Sequence, residues 1–176
     1  VERLVRAYEQ LLDTDRARVE TQRRRAELDA RARAWTGFPT PPPYSVLMAD
    51  ELRGAHAAAR DRRNAAESRL ALLKTQAEAA RDRLAKAQVA VRQAAERAER
   101  EPAAERTPAQ WGRELADWRA RLAAVNVSVL DALQRLAQEQ AGEARDEAAF
   151  LERQLQAAAA AVSFGKDDPE RVLARL

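Results

Sequence analysis

Cysteine is absent from the 176 residues, histidine occurs once, and glycine only five times. The first absence excludes disulfides, thiolate metal sites and cysteine nucleophiles. A lone His56 leaves no metal-ligating set, because zinc takes three or four suitable ligands. The residue three before it is Arg53, so the Glu-x-x-His arrangement of di-iron bundles is missing too. None of the glycines falls in a G-x-G-x-x-G, G-K-[ST] or G-x-S-x-G pattern. Acids such as Asp13, Asp15, Asp50 and Glu51 stand beside no nucleophile and no phosphate loop. No catalytic, cofactor-binding or metal-ligating residue is expected, and the chain is not expected to be an enzyme. Aromatics are 5% of the chain, and much of its 46% hydrophobic content is alanine, so a thick globular core is not expected. No apolar run approaches the roughly 20 residues needed to cross a bilayer.

What the chain has in abundance is Ala, Glu, Arg, Leu and Gln, the composition of long helices and coiled coils. Net charge is only +3 although 34% of residues are charged. Basic and acidic residues are interleaved: the triplet Arg23, Arg24, Arg25 is flanked by Glu20 and Glu27. A nucleic-acid surface usually shows a basic stripe without such compensation, and charge runs on helices are usually solvated faces. No nucleic-acid partner is expected.

The expected fold is all-α. A first helix spans about residues 1–35, with Leu4, Tyr8, Leu11, Leu12, Val19, Ala26 and Leu28 recurring at helical spacing. A second spans about 45–101. In it Leu52, His56, Ala59, Arg63, Ala66, Leu70, Leu73, Ala77, Ala80, Leu84, Ala87, Val91, Ala94 and Ala98 alternate steps of four and three, a heptad seam. About 57 residues at 1.5 Å each make a helix of roughly 85 Å. Its alanines allow a partner helix to approach closely. His56 on this seam is expected to be structural, with pH sensing the alternative; Arg63 is expected to lay its stem along the seam and reach water.

Pro102 is expected to end the second helix. Thr107, Pro108 and Gln110 read as cap, first position and capping-box partner of a third helix over about 108–162. The short connection makes the second and third helices antiparallel neighbours. Trp111, Leu115, Trp118, Leu122, Val125 and Val129 form the third helix's apolar row; Leu133, Leu136, Phe150, Leu151 and Leu155 continue it with a phase shift, and Gly142 and Val125–Val129 are candidate kinks. Trp111 and Trp118 either cover the alanine-rich end of the second helix or form an exposed aromatic patch for a partner or a membrane interface. Near the end, Gly165, Asp167 or Asp168, and Pro169 repeat the grammar of a stop, a cap and a start, so a further helix is expected from 168 and the chain is expected to be a piece of a larger protein. The architecture that follows is one elongated domain: an antiparallel hairpin, with the first helix packed at one end to make a three-helix bundle and the tip end two helices thick.

One stretch breaks the helical composition. "WTGFPTPPPYSVLMADEL", Trp35 to Leu52, holds four of the seven prolines. Gly37 suits a helix terminator, Pro39, Pro41, Pro42 and Pro43 cannot continue a helix, and Ser45 suits an N-cap. The prolines satisfy P-x-x-P and so fit a polyproline II ligand. Yet Trp35, Phe38 and Tyr44 surround them, and aromatics placed so are expected to fold down and plug the end of a bundle. The expectation is a rigid, packed corner.

That corner, on Trp35, Gly37, Phe38, Pro41, Pro42, Pro43, Tyr44, Ser45, Asp50, Leu52 and Arg53, resembles a segment of the N-terminal extramembrane regions of bacterial small-conductance mechanosensitive (MscS-like) channel proteins, W-x-G-F followed by PPPYS and a long helix. Ala71 to Gln88 looks like the same family's coiled-coil continuation. The resemblance implies a periplasmic helical domain of an inner-membrane protein that precedes the transmembrane helices and pore of a channel opened by membrane tension. It implies self-association within a homo-oligomeric channel and attachment to the membrane-embedded rest of its own chain, and it carries over no catalytic residue. The competing reading is a coiled-coil scaffold or adaptor of an envelope assembly; a third, a helical nucleic-acid binder using Arg23–Arg25, is the weakest.

Overall fold

The computed structural model describes residues 2–100 and 106–163. Its element order is α1 (Glu2–Ala34), β1 (Tyr44–Ser45), α2 (Val46–Arg100), α3 (Arg106–Ala159) and β2 (Val162–Ser163). The fold is all-α, as the composition requires: α2 and α3 pair extensively and α1 packs on α3. The turn at Pro102 and the further helix from 168 lie outside the described residues. By contacts the chain divides into two units, Val1–Val19 with Arg69–Ala137 (unit 1) and Glu20–Ser68 with Gln138–Leu176 (unit 2).

Every position of the seam read from α2's sequence is buried or half-buried, His56 and Arg63 included. Ala59 and Ala77 are fully covered and Leu73 nearly so. Alanine at the contact lets backbones approach, so the helix pair is held by many small apolar contacts rather than a few large ones. Arg63 lays its stem there and leaves Nε out of water without a hydrogen-bond partner.

In unit 2 the helix directions follow from the pairs. Arg62 of α2 meets Glu147 of α3 at 3.2 Å, and Glu67 meets Arg145 at 3.2 Å. Tyr44 and Ser45 stand beside Val162 and Ser163. As α2 advances, its α3 partners recede, so the two are antiparallel. Gln22 of α1 reaches Glu139 and Ala32 reaches Arg153, so α1 and α3 run parallel. In unit 1, Arg81 of α2 pairs with Asp131 of α3 at 2.6 Å. There Leu4 of α1 lies beside Trp118 and Leu122, and Thr14 beside Ala132.

Sequence expectations are corrected on two helices, α3 and α1. α3 carries two rows rather than one row with a phase shift. The row that meets α1 runs through Leu122, Ala132, Glu139, Glu143, Asp146 and Phe150. A second, alanine-rich row through Ala116, Ala123, Val127, Leu130, Ala137, Ala141, Ala148 and Ala158 is also buried or half-buried. A helix between two neighbours needs two seams, and the apparent shift is the step from one to the other. Gly142 and Val125–Val129 do not interrupt the helix. Thr107 sits within α3's first turn rather than before it, because α3 begins at Arg106; Pro108 is tolerated there since the first N–H groups of a helix have no intrahelical partner.

α1's inward face is the second correction. Leu4 and Leu11 are half-buried and Leu28 is buried, but Tyr8, Leu12, Val19 and Ala26 are exposed. Thr14 and Thr21 are buried in their place. Thr14 satisfies its hydroxyl by donating to the Gln10 carbonyl at 2.7 Å, the back-bonding that lets a threonine enter a helix interface.

Candidate functional site

Two features stand out: the corner in unit 2 and the exposed apolar rows of unit 1. The corner is built from the end of α1 outward. α1 stops at Ala34, and Gly37 takes φ 141°, a left-handed value that side chains rarely adopt. Trp35 then turns in. Its ring meets Phe38 edge-on at 5.5 Å and Phe150 of α3 at 6.0 Å, and Phe38 meets Tyr44 at 5.1 Å. Phe150, only 6% exposed, is the floor of this cluster. Edge-to-face pairs at these separations add stability beyond the area they bury.

Arg153 of α3 pins the cluster from outside. Its guanidinium lies 5.2 Å over Trp35 and 5.4 Å over Phe150, and it donates to the Ala32 carbonyl at α1's C-terminal end. A cation there also meets the negative end of the helix dipole. Arg31 covers Phe150 at 5.6 Å. The Tyr44 N–H donates to the Ala161 carbonyl at 2.9 Å, joining the exit of the corner to the end of α3. Ser45 caps α2, its Oγ accepting from the Met48 N–H at 3.2 Å, and Asp50 and Arg53 pair at 2.5 Å in the first turns. Pro41, Pro42 and Pro43 remain exposed on the outside. The sequence-read residues Trp35, Gly37, Phe38, Tyr44 and Ser45 are thus brought together. Phe150, Arg153 and the short parallel β1–β2 bridge are the partners that the sequence did not name.

Next to the corner, a charge ladder sets the register of α1 on α3. Arg24 forks onto Glu143, Nε to Oε1 at 2.9 Å and Nη2 to Oε2 at 3.2 Å. Arg25 donates to Asp146 at 2.7 Å and to Glu139 at 3.4 Å. These contacts hold both guanidinium groups more firmly protonated than usual, chiefly through the hydrogen bonds from Arg24 to Glu143 and from Arg25 to Asp146. Arg23 pairs with Glu20 at 2.7 Å, and this hydrogen bond holds the Glu20 carboxyl below its ordinary value. Each member of the arginine triplet therefore has a carboxylate partner. Gly142 makes room for this ladder: a Cβ there would stand 2.8 Å from Cζ of Arg25.

In unit 1, Trp111 and Trp118 are 68% and 52% exposed, so they do not form the core lid that was one of the two expectations. They share their row with exposed Leu115, and Arg121 lies 5.2 Å over the Trp118 ring. Among the described residues, every large apolar side chain left exposed belongs to unit 1: these three, Val5, Tyr8, Leu12 and Val19 on α1, and Leu72 and Val89 on α2.

His56 is half-buried within α2's seam. Among the described residues no group of three or more His, Cys, Asp or Glu side chains is placed to hold a metal ion. No helix among them is long and apolar enough to cross a membrane. No family model, curated protein or solved structure matches the chain.

Proposed function

We propose that this chain is the periplasmic helical domain of a bacterial MscS-like mechanosensitive channel protein. It would stand ahead of the membrane-embedded pore, assemble with its copies around that pore, and serve structurally or in modulating the gate during osmotic stress. The observation that carries the reading is the corner. Five residues of the resemblance meet in one joint: Trp35, Phe38 and Tyr44 stack in sequence, Gly37 supplies the turn, and Ser45 starts the long helix. A motif whose members contact one another behaves as a mechanical element, fixing the angle between α1 and α2. A joint so packed transmits force between two long helices instead of absorbing it.

The test is the coding sequence beyond Leu176. The proposal expects several apolar spans of about 20 residues followed by a glycine- and alanine-rich helix suited to tight packing. A stop codon soon after Leu176, or a soluble β-rich module, refutes it and favours the scaffold reading, which the alanine-rich α2–α3 seam fits equally. If the spans are there, a full-length channel lacking α2 and α3 separates a gating role from a spacing role. Unchanged threshold tension and unchanged survival of osmotic downshock would leave spacing alone.

A further inference from the structure

We infer that the Glu20–Leu28 stretch of α1 is a latch sensitive to ionic strength: dissolved ions loosen it from α3, while α2 stays packed on α3's other row. The inference takes its setting, osmotic stress, from the function proposed above, and names the stimulus that such a domain would register.

In unit 2 the two rows of α3 are held by different physics. Toward α2 the contact is apolar. Ala49 and Ala59 are fully covered, and the α3 row through Ala141, Ala148 and Ala158 is buried as well. The pairs Arg62–Glu147 and Glu67–Arg145 stand at the margins of that seam, not in it. Arg63, which does stand in it, adds no ion pair among the described residues.

Toward α1 the contact is charged. The inward positions of this stretch are Thr21, Arg25 and Leu28, of which only Leu28 is large and apolar. Arg25 stands in the row itself and takes two carboxylates, Asp146 at 2.7 Å and Glu139 at 3.4 Å. Arg24 flanks it and reaches Glu143 at 2.9 Å. Where α2 sets alanine against α3, α1 sets guanidinium against carboxylate.

Exposure decides whether ions reach these contacts. The five charged side chains are between 24% and 47% exposed. Two open grooves run along them, one lined by Arg24 and Glu143, the other by Arg25, Glu139 and Asp146. The screening length falls from about 30 Å in 0.01 M salt to about 3 Å in 1 M salt. That is the length of the contacts themselves. Three pairs of modest strength then lose most of their attraction together. The Arg23–Glu20 pair within the stretch weakens in the same way. Apolar burial is not screened, so the alanine seam and the Trp35–Phe150 stack hold while the stretch between loosens.

The experiment is hydrogen exchange on the 176-residue chain, read by mass spectrometry, in about 0.01 M and about 1 M sodium chloride. Amides of residues 21–28 are expected to exchange about fivefold faster in high salt, relative to amides of residues 56–66 of α2 as the internal reference. Sucrose at matching osmolality should leave that ratio unchanged. In a Glu143→Gln, Asp146→Asn variant, residues 21–28 should exchange fast at both salt concentrations. Reversing one pair, Arg24→Glu with Glu143→Arg, should bring back slow exchange in low salt together with the response to salt. A wild-type ratio indifferent to salt overturns the inference. So does an α2 that loosens as much as α1, sucrose acting as strongly as sodium chloride, or a salt response that survives loss of the two carboxylates. No channel enters this experiment. A salt-indifferent α1 leaves the channel reading standing, and a stop codon soon after Leu176 leaves the latch standing.

Discussion

Replacing Arg153 with alanine tests whether the corner is a pinned joint or only a packed loop. The side chain makes three separable contributions. It lies over Trp35 and Phe150, each stacking contact contributing about 0.5–1 kcal/mol at a solvent-exposed site. It donates to the Ala32 carbonyl, where a net hydrogen bond contributes about 1 kcal/mol. It sets a positive charge against the last turn of α1, which adds about 0.3–1 kcal/mol. Because one side chain makes all of these, they are not independent, and the expected loss is about 2–3 kcal/mol. At about 2–4 °C per kcal/mol for a domain of this size, Tm should fall by about 5–10 °C. The readouts are thermal unfolding by far-UV circular dichroism and by the fluorescence of Trp35, in a Trp111→Phe, Trp118→Phe background that silences the other two tryptophans. Arg153→Lys keeps the charge but not the planar fork, and should fall between wild type and alanine. A Tm change under about 1 °C for Arg153→Ala, well below the 2–4 °C expected per kcal/mol, refutes the pinning argument. So does a lysine variant as unstable as the alanine one, because the loss would then come from the shape of the stack and not from its cation.

Phe150→Ala removes the floor of the same cluster and should cost about 3–5 kcal/mol in denaturant unfolding, the range for a buried aromatic. Ser45→Ala should cost about 1 kcal/mol through the lost cap of α2. The glycines within helices give a paired comparison. Gly54→Ala meets nothing within 4 Å and should stabilise by about 1 kcal/mol from helix propensity alone. Gly142→Ala gains the same propensity but displaces Arg25 from Asp146 and Glu139, so its net gain should be smaller. Its stability should also depend less on salt than that of wild type, measured as Tm in low and high sodium chloride.

The α2 seam was legible in full because it obeys one rule over its whole length. Apart from His56 and Arg63, each inward position is small or apolar, outward positions are mostly polar, and a helix facing one main neighbour needs little else. The corner was legible for a different reason: glycine and proline restrict the backbone so strongly that Trp35–Ser45 could not be helix, and its aromatics had to be covered somewhere. Where they would be covered was not legible. Phe150 and Arg153 are more than a hundred residues away, and nothing local marks a phenylalanine as the floor of a distant turn. Likewise Val162–Ser163 is too short for any alternating pattern, and its pairing with Tyr44–Ser45 follows only once α3 has been brought back alongside.

α1 shows where apolar spacing misleads. Read by hydrophobicity, its face is Leu4, Tyr8, Leu11, Leu12, Val19, Ala26 and Leu28; in the fold Leu4, Leu11 and Leu28 look in together with Thr14, Thr21 and Arg25, while Tyr8, Leu12, Val19 and Ala26 look outward. The inward row is chosen by what α3 offers it. Between Ala132 and Asp146 the α1-facing row of α3 becomes acidic, with Glu139, Glu143 and Asp146 in turn. An arginine-rich face satisfies those carboxylates, whereas leucine and valine set against them would leave them desolvated and unpaired, which costs more than exposing the apolar side chains does. In unit 2, electrostatics therefore fix which face of α1 looks toward α3. On this argument, exchanging the ladder's charges for apolar residues on both helices, with Arg24, Arg25, Glu143 and Asp146 all changed to leucine, removes the constraint that fixes the rotation. Cysteine-specific labelling at position 26, exposed beside the ladder, should then become slower than in the parent ladder carrying the same Ala26→Cys change. Equal labelling rates would mean that packing, and not charge, orients α1.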